Sequence, residues 1–148
     1  MAFKEIKPGQ EDWLNVLNDN LKNNKFDYTQ YPVTLINGVS GWATGYLIRN
    51  QNVYIAWITG YITMPGNGAT EIIINPFGDI MNLGAISPVG ILHVGTPKGD
   101  IKFTCLQMSL DQKKFEALGD NGVSWDGAQK YTGQISVMWS GPASELKI

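Results

Sequence analysis

The sequence predicts an all-β protein: an antiparallel β-sandwich of jelly-roll type, preceded by one short N-terminal α-helix. Three observations carry this expectation. Short runs rich in Val, Ile, Thr, Tyr and Trp recur from residue 26 onward. Turn clusters punctuate them, with PGNG at 65–68, NPFGD at 75–79, TPKGD at 96–100 and GDNG at 119–122. Residues 1–25 differ, being polar and permissive of helix. Many short strands at this spacing favour a sandwich, because each strand must bury one face against a second layer. The expected organisation is a helical stem over 1–25 and a β-sandwich head over 26–148.

The helix is written into KPGQEDWLNVLNDNLKNN, residues 7–24. Pro8 and Gly9 stand where a helix can start, and Glu11 and Asp12 set negative charge against its positive end. Leu14, Leu17 and Leu21 follow the three–four spacing of a narrow apolar seam, with Trp13 flanking it. Asn18, Asn20, Asn23 and Asn24 then weaken helix propensity and mark its end. A seam of barely one heptad is too short to hold a coiled coil unaided. Two readings stand. Either the helix packs across one end of the sandwich, or it is a stem that meets copies of itself through Trp13, Leu14, Leu17 and Leu21.

Among the strands, WATGYLIRN and NVYIAWITGYITM flank Asn50 and Gln51, which suits a tight hairpin. QISVMWS alternates cleanly, with Ile135, Val137 and Trp139 on one face and Gln134, Ser136 and Ser140 on the other. NVYIAWITGYITM is the anomaly. One face carries Val53, Ile55, Trp57 and Tyr61; the other carries Tyr54, Ala56, Ile58, Ile62 and Met64. A sandwich strand ordinarily faces water on one side, so this one needs cover on both. A subunit interface formed by Tyr54, Ile58 and Ile62 would supply it; so would the N-terminal helix or a long loop.

At 148 residues the chain is expected to be one domain, burying about 68–70% of its unfolded surface without a staple. A net charge of −2 speaks against a general nucleic-acid binder, and Arg49 is the one arginine. Cys105 is alone, which leaves no intrachain disulfide and points to a small buried apolar residue. His93 is also alone, which excludes His-rich zinc patterns and suits a hydrogen-bonded strand residue. The opening MAFKEIKPGQ has no apolar signal-peptide core, and no apolar run approaches the ~20 residues of a membrane span. A soluble protein made in the cytoplasm is expected, with no membrane insertion, metal, cofactor or catalytic group.

One stretch has the makings of a sugar site. In GDNGVSWDGAQKY, Asp120, Asn121, Trp125, Asp126 and Tyr131 combine a flat ring for C–H faces with polar groups for hydroxyls. Asp and Asn also populate turns, and Trp125 can simply plug a core. Trp42, Trp57, Tyr61 and Trp139 are equally visible aromatic candidates. Glycoside hydrolysis would need Asp120 and Asp126 held about 5–10 Å apart.

The opening IKPGQEDWLNVLNDNLKNN resembles the N-terminal segment of bacteriophage tail-fibre and baseplate receptor-binding proteins, where a Pro-Gly, a Trp and an Asn-rich helix precede the fibre or head. VTLINGVSGWATGYLIRNQNVYIAWITGYIT is similar to their C-terminal β-modules, which run from an L-x-N-G opening through two strands, and ISPVGILHVGTPKGDIKFTC continues in that manner. IIINPFGDI departs from the pattern, where a Leu-Pro turn and then an Arg-Pro pair are more usual. The resemblance implies a homotrimer at a phage tail tip or baseplate, with β-heads hanging from a helical stem. It also implies contacts with other tail proteins and binding of a host cell-wall saccharide without turnover. The competing expectations are a purely structural tail protein and a small glycan-degrading enzyme. On the stem reading, Leu17→Asp converts a trimer into monomers in light scattering; a wild type already monomeric at micromolar concentration removes the stem interface.

Overall fold

Among the described residues one helix, α1 (Trp13–Asn23), precedes eight strands: β1 (Asp27–Pro32), β2 (Ser40–Arg49), β3 (Val53–Met64), β4 (Glu71–Ile74), β5 (Val89–Gly95), β6 (Ile101–Met108), β7 (Lys114–Ala117) and β8 (Tyr131–Pro142). A 3-10 turn, Ala143–Glu145, follows β8. The structure, a computed structural model, describes residues 4, 5, 7, 11–23, 25–65, 71–81, 89–96, 99, 101–109, 111, 113–117 and 129–148. The class is all-β and antiparallel, as expected.

Local chemistry accounts for the turns. At the β2–β3 hairpin the Asn50 side-chain oxygen accepts the backbone N–H groups of Asn52 at 2.8 Å and Val53 at 2.9 Å. This Asx geometry substitutes for a backbone turn and fixes the register in which Ser40 faces Thr63 and Arg49 faces Tyr54. Asn75 does the same after β4, accepting the Phe77 N–H at 3.0 Å. Between β5 and β6, Gly99 closes on the Thr96 carbonyl at 3.0 Å.

The strand order is β1-β2-β3-β8-β5-β6-β7-β4. The pairs β3·β8, β4·β7 and β5·β6 are nested, as if one long hairpin had been rolled up, with β2 and β1 added beside β3. That is the connection pattern of a jelly roll. The roll also closes on itself. Leu35, just beyond β1, bridges Ile73 of β4, and the Ile36 and Ile74 N–H groups bond the Ile72 and Thr34 carbonyls at 3.1 and 3.0 Å. The two ends of the strand order are thereby brought together.

The core lies inside this roll. Leu47, Ala56, Met64 and Val137 meet Ile72, Phe77, Leu106 and Phe115 from the opposing strands and turn. Trp139 is where the layers join: the Phe77 ring stands edge-on to it, centroids 5.4 Å apart, and Phe115 lies at 5.9 Å. On β8 the expected alternation is observed, with Ile135, Val137 and Trp139 buried and Gln134, Ser136 and Ser140 exposed.

This core corrects two expectations. Tyr54, Ile58 and Ile62 are not a subunit interface: they are 1%, 0% and 0% exposed, covered by the second layer of their own chain. Cys105 is exposed rather than buried, because alternation along β6 turns its neighbour Leu106 inward instead. The helix stands apart from this packing. Among the described residues α1 packs broadly on no strand. Val16, off the leucine seam, is buried yet lies outside the main core, while Leu14 is 53% exposed and Leu17 half-buried. The side chains of Trp13 and Leu21 lie outside the described ones.

The Tyr54 hydroxyl donates to Glu145 Oε2 at 3.0 Å and ties the 3-10 turn to β3. Burial, reinforced by the Glu145 carboxylate, pushes this phenol from its ordinary 10.0 up to about 12. Its contribution is complete below pH 10 and is lost as pH rises toward 12, because the unfolded phenol ionises first. Denaturant titrations should show stability falling across that window, with Tyr54→Phe removing part of the slope. Ile58→Ala should cost about 2–5 kcal/mol of stability and leave the oligomeric mass unchanged, whereas an interface residue would change the mass.

Candidate functional site

Side chains alternate along a strand, so the neighbours of core residues on β1, β2, β3 and β8 project to the outer face. The register arranges them in rows across the sheet. Tyr46, Trp57 and Met138 stand opposite one another. Two residues along lie Thr44, Thr59 and Ser136, and two further Trp42, Tyr61 and Gln134. Hydroxyls therefore separate two rows that carry aromatic rings.

The rings are open to solvent and to one another. Trp42 is 58% exposed and Tyr28 is 60% exposed; Tyr61 and Met138 are likewise exposed. Tyr28 stacks on Tyr46 with centroids 5.7 Å apart, and Tyr46 lies 5.5 Å from Trp57, so aromatic contact runs unbroken from β1 to β3. The Trp57 indole N–H donates to Ser136 Oγ at 3.2 Å, one row over, which leans the ring toward the hydroxyls. At the far margin the Thr63 and Thr132 hydroxyls share a hydrogen bond of 2.9 Å. No outward position within these four strands carries a charge.

The Trp42–Tyr61 pair depends on glycine in both strands. Gly41 has φ +115°, and a Cβ there would lie 2.3 Å from the Tyr61 carbonyl oxygen. A Cβ on Gly60 would lie 2.3 Å from the Trp42 carbonyl oxygen. Neither backbone atom can yield, so any side chain would push the strands apart beneath the two rings.

The sugar stretch expected from sequence divides. Asp120, Asn121, Trp125 and Asp126 lie outside the described residues. Tyr131 is a correction: it opens β8 opposite Met64, is 1% exposed, and belongs to the core, with no ring face for a ligand. Of the other visible aromatics, Trp139 is also in the core, while Trp42, Trp57 and Tyr61 share the outer face. The signal that assigns them lies in β8. Its polar face carries Ser136 and Met138, and Met138 pairs with Trp57, so Trp57 must face outward.

Two clefts among the described residues contain no aromatic ring. One, of about 510 Å³, includes Lys22, Lys25, Asp27 and Arg49 in its lining, where the end of α1 meets the β2–β3 hairpin. The other, of about 400 Å³, includes Asp79, Asp111, Lys113 and Lys147. There the Ser109 hydroxyl donates to Asp111 at 2.6 Å and holds its carboxyl below the usual range, which suits a turn-fixing acceptor and not a proton donor. Among the described residues no three His, Cys, Asp or Glu side chains gather to hold a metal, and no helix is long and apolar enough to cross a membrane. Comparison of the chain with family models, curated proteins and solved structures finds no match in any of the three.

Gly60→Ala is expected to cost about 1–3 kcal/mol in chemical denaturation and to alter the near-ultraviolet dichroism of the Trp42–Tyr61 pair. A neutral effect on both would show that the close approach is not required.

Proposed function

We propose that this chain is a non-catalytic adhesion module of a bacteriophage tail or baseplate, holding a host cell-wall saccharide on the outer face of β1, β2, β3 and β8. One observation carries the binding role: an uncharged sheet face on which exposed rings alternate with hydroxyl rows. Rings offer flat apolar surface to the C–H faces of a pyranose, and Thr, Ser and Gln bond its hydroxyl groups. Contiguous exposed apolar surface of this kind marks a contact site on a protein. The phage setting rests on the resemblance of the opening segment and the β2–β3 region to receptor-binding proteins.

The exposed Leu14 and the separation of α1 from the core support assembly through the stem. Copies of the helix would bury one another, and several modest sites on one particle would add by avidity. The same exposed helix favours a second reading, a purely structural tail protein whose surfaces meet other virion components.

Trp57→Ala and Trp42→Ala separate these readings. Both side chains are exposed, so the fold should survive. Each substitution should weaken binding to isolated cell-wall polysaccharide by about tenfold, since a stacked ring contributes roughly 0.5–1.5 kcal/mol beyond its area. Binding undiminished in both variants removes this face from the site. A wild type that ignores wall polysaccharide and binds purified tail protein instead establishes the structural role.

A further inference from the structure

We infer that the saccharide is a neutral, linear glycan lying across the strands, along the Tyr28–Tyr46–Trp57 stripe of rings, with Thr44, Thr59 and Ser136 as its hydrogen-bonding rail. This rests on the saccharide-binding reading and adds the charge and direction of the ligand.

Charge comes first. Charged residues make up 16% of the chain, yet none occupies an outward position in β1, β2, β3 or β8. A phosphate or uronate would call for Arg, Lys or a group of backbone N–H donors, which hold anions by charge-assisted bonds. Placed on this face, an anion would lose hydration with no cation to replace it. Lys22, Lys25 and Arg49 line the cleft near α1, and Lys114 is held by Glu71 at 2.9 Å. The face matches an uncharged partner.

Direction follows from continuity. Along β3 the outward residues run Trp57, Thr59, Tyr61, so the two rings stand about 14 Å apart with a short side chain between them. Across the strands the rings of Tyr28, Tyr46 and Trp57 succeed one another at 5.7 and 5.5 Å without a gap. The unbroken apolar stripe therefore crosses the strands, stepping two residues along from Tyr46 to Tyr28, which stands opposite Ile48. The hydroxyls of Thr44, Thr59 and Ser136 run beside its Tyr46–Trp57 part, spaced about 4.8 Å apart by the sheet itself. Trp57, hitched to Ser136 at 3.2 Å, joins stripe to rail. A chain laid here sets one face on rings and one edge on hydroxyls. Four strands span about 14 Å, room for about three sugar units.

The test is a titration of the full chain against neutral linear oligosaccharides of glucose and of N-acetylglucosamine in increasing length. Oligogalacturonate and a phosphate-bearing glycan serve as anionic counterparts. Affinity for a neutral series should rise to about three units and then level, with no response to added salt. Thr59→Val should weaken it about fivefold, the loss of one hydrogen bond. Binding confined to the anionic chains and screened by salt overturns the inference while leaving the saccharide reading intact. So does a neutral series that Trp57→Ala abolishes and Thr59→Val leaves unchanged. Failure of every chain to bind overturns the saccharide reading itself, and the inference with it.

Discussion

The pairing of β8 with β3 decides which side of this molecule meets water. The two faces of β8 differ sharply, with Ile135, Val137 and Trp139 against Gln134, Ser136 and Ser140. Its neighbour β3 is apolar on both sides and has no preference of its own. Once Ile58 is set opposite Val137 and Trp57 opposite Met138, the inner and outer residues of β3 are fixed, and β2 follows through its hairpin. A slip of one residue would turn Trp57 and Tyr61 inward and expose Ile58 and Ile62. The uncharged outer face is thus a product of register as much as of composition.

Much of the fold was legible because its signals are local. Asn50 between two β-rich runs marks the hairpin, and the Asn75 and Gly99 turns lie in the NPFGD and TPKGD turn clusters. The strict alternation of β8 was readable residue by residue. What escaped was non-local. Whether Ile58 or Trp57 is covered depends on strands β4 and β7, which reach it only through nested pairing over long sequence separations. Tyr131 looked like part of a loop site because its neighbours are turn formers, yet it begins a strand whose first side chain points into the core. Cys105 looked buried from its composition alone, whereas the inward place in β6 went to Leu106.

The candidate site was half legible for the same reason. Trp42, Trp57 and Tyr61 are conspicuous in the sequence, but their assembly into rows with Thr44, Thr59 and Ser136 is a property of three strands aligned. The Gly41 and Gly60 positions carry a further message that periodicity cannot express. They mark a place where two backbones approach too closely for any side chain, directly beneath an exposed Trp–Tyr pair. Rigid support beneath a contact surface limits what must be ordered on binding.

The bridge between Leu35 and Ile73 has a consequence for how such a surface is kept safe. By spending the β4 margin on the chain's own backbone, it leaves β1 as the unpaired border of the outer sheet. That border is six residues long, begins at Asp27 and ends at Pro32. An acid and an imino acid at its limits discourage lateral recruitment of further chains into a growing ribbon. A greasy plateau can then face solvent with little hazard of fibre formation.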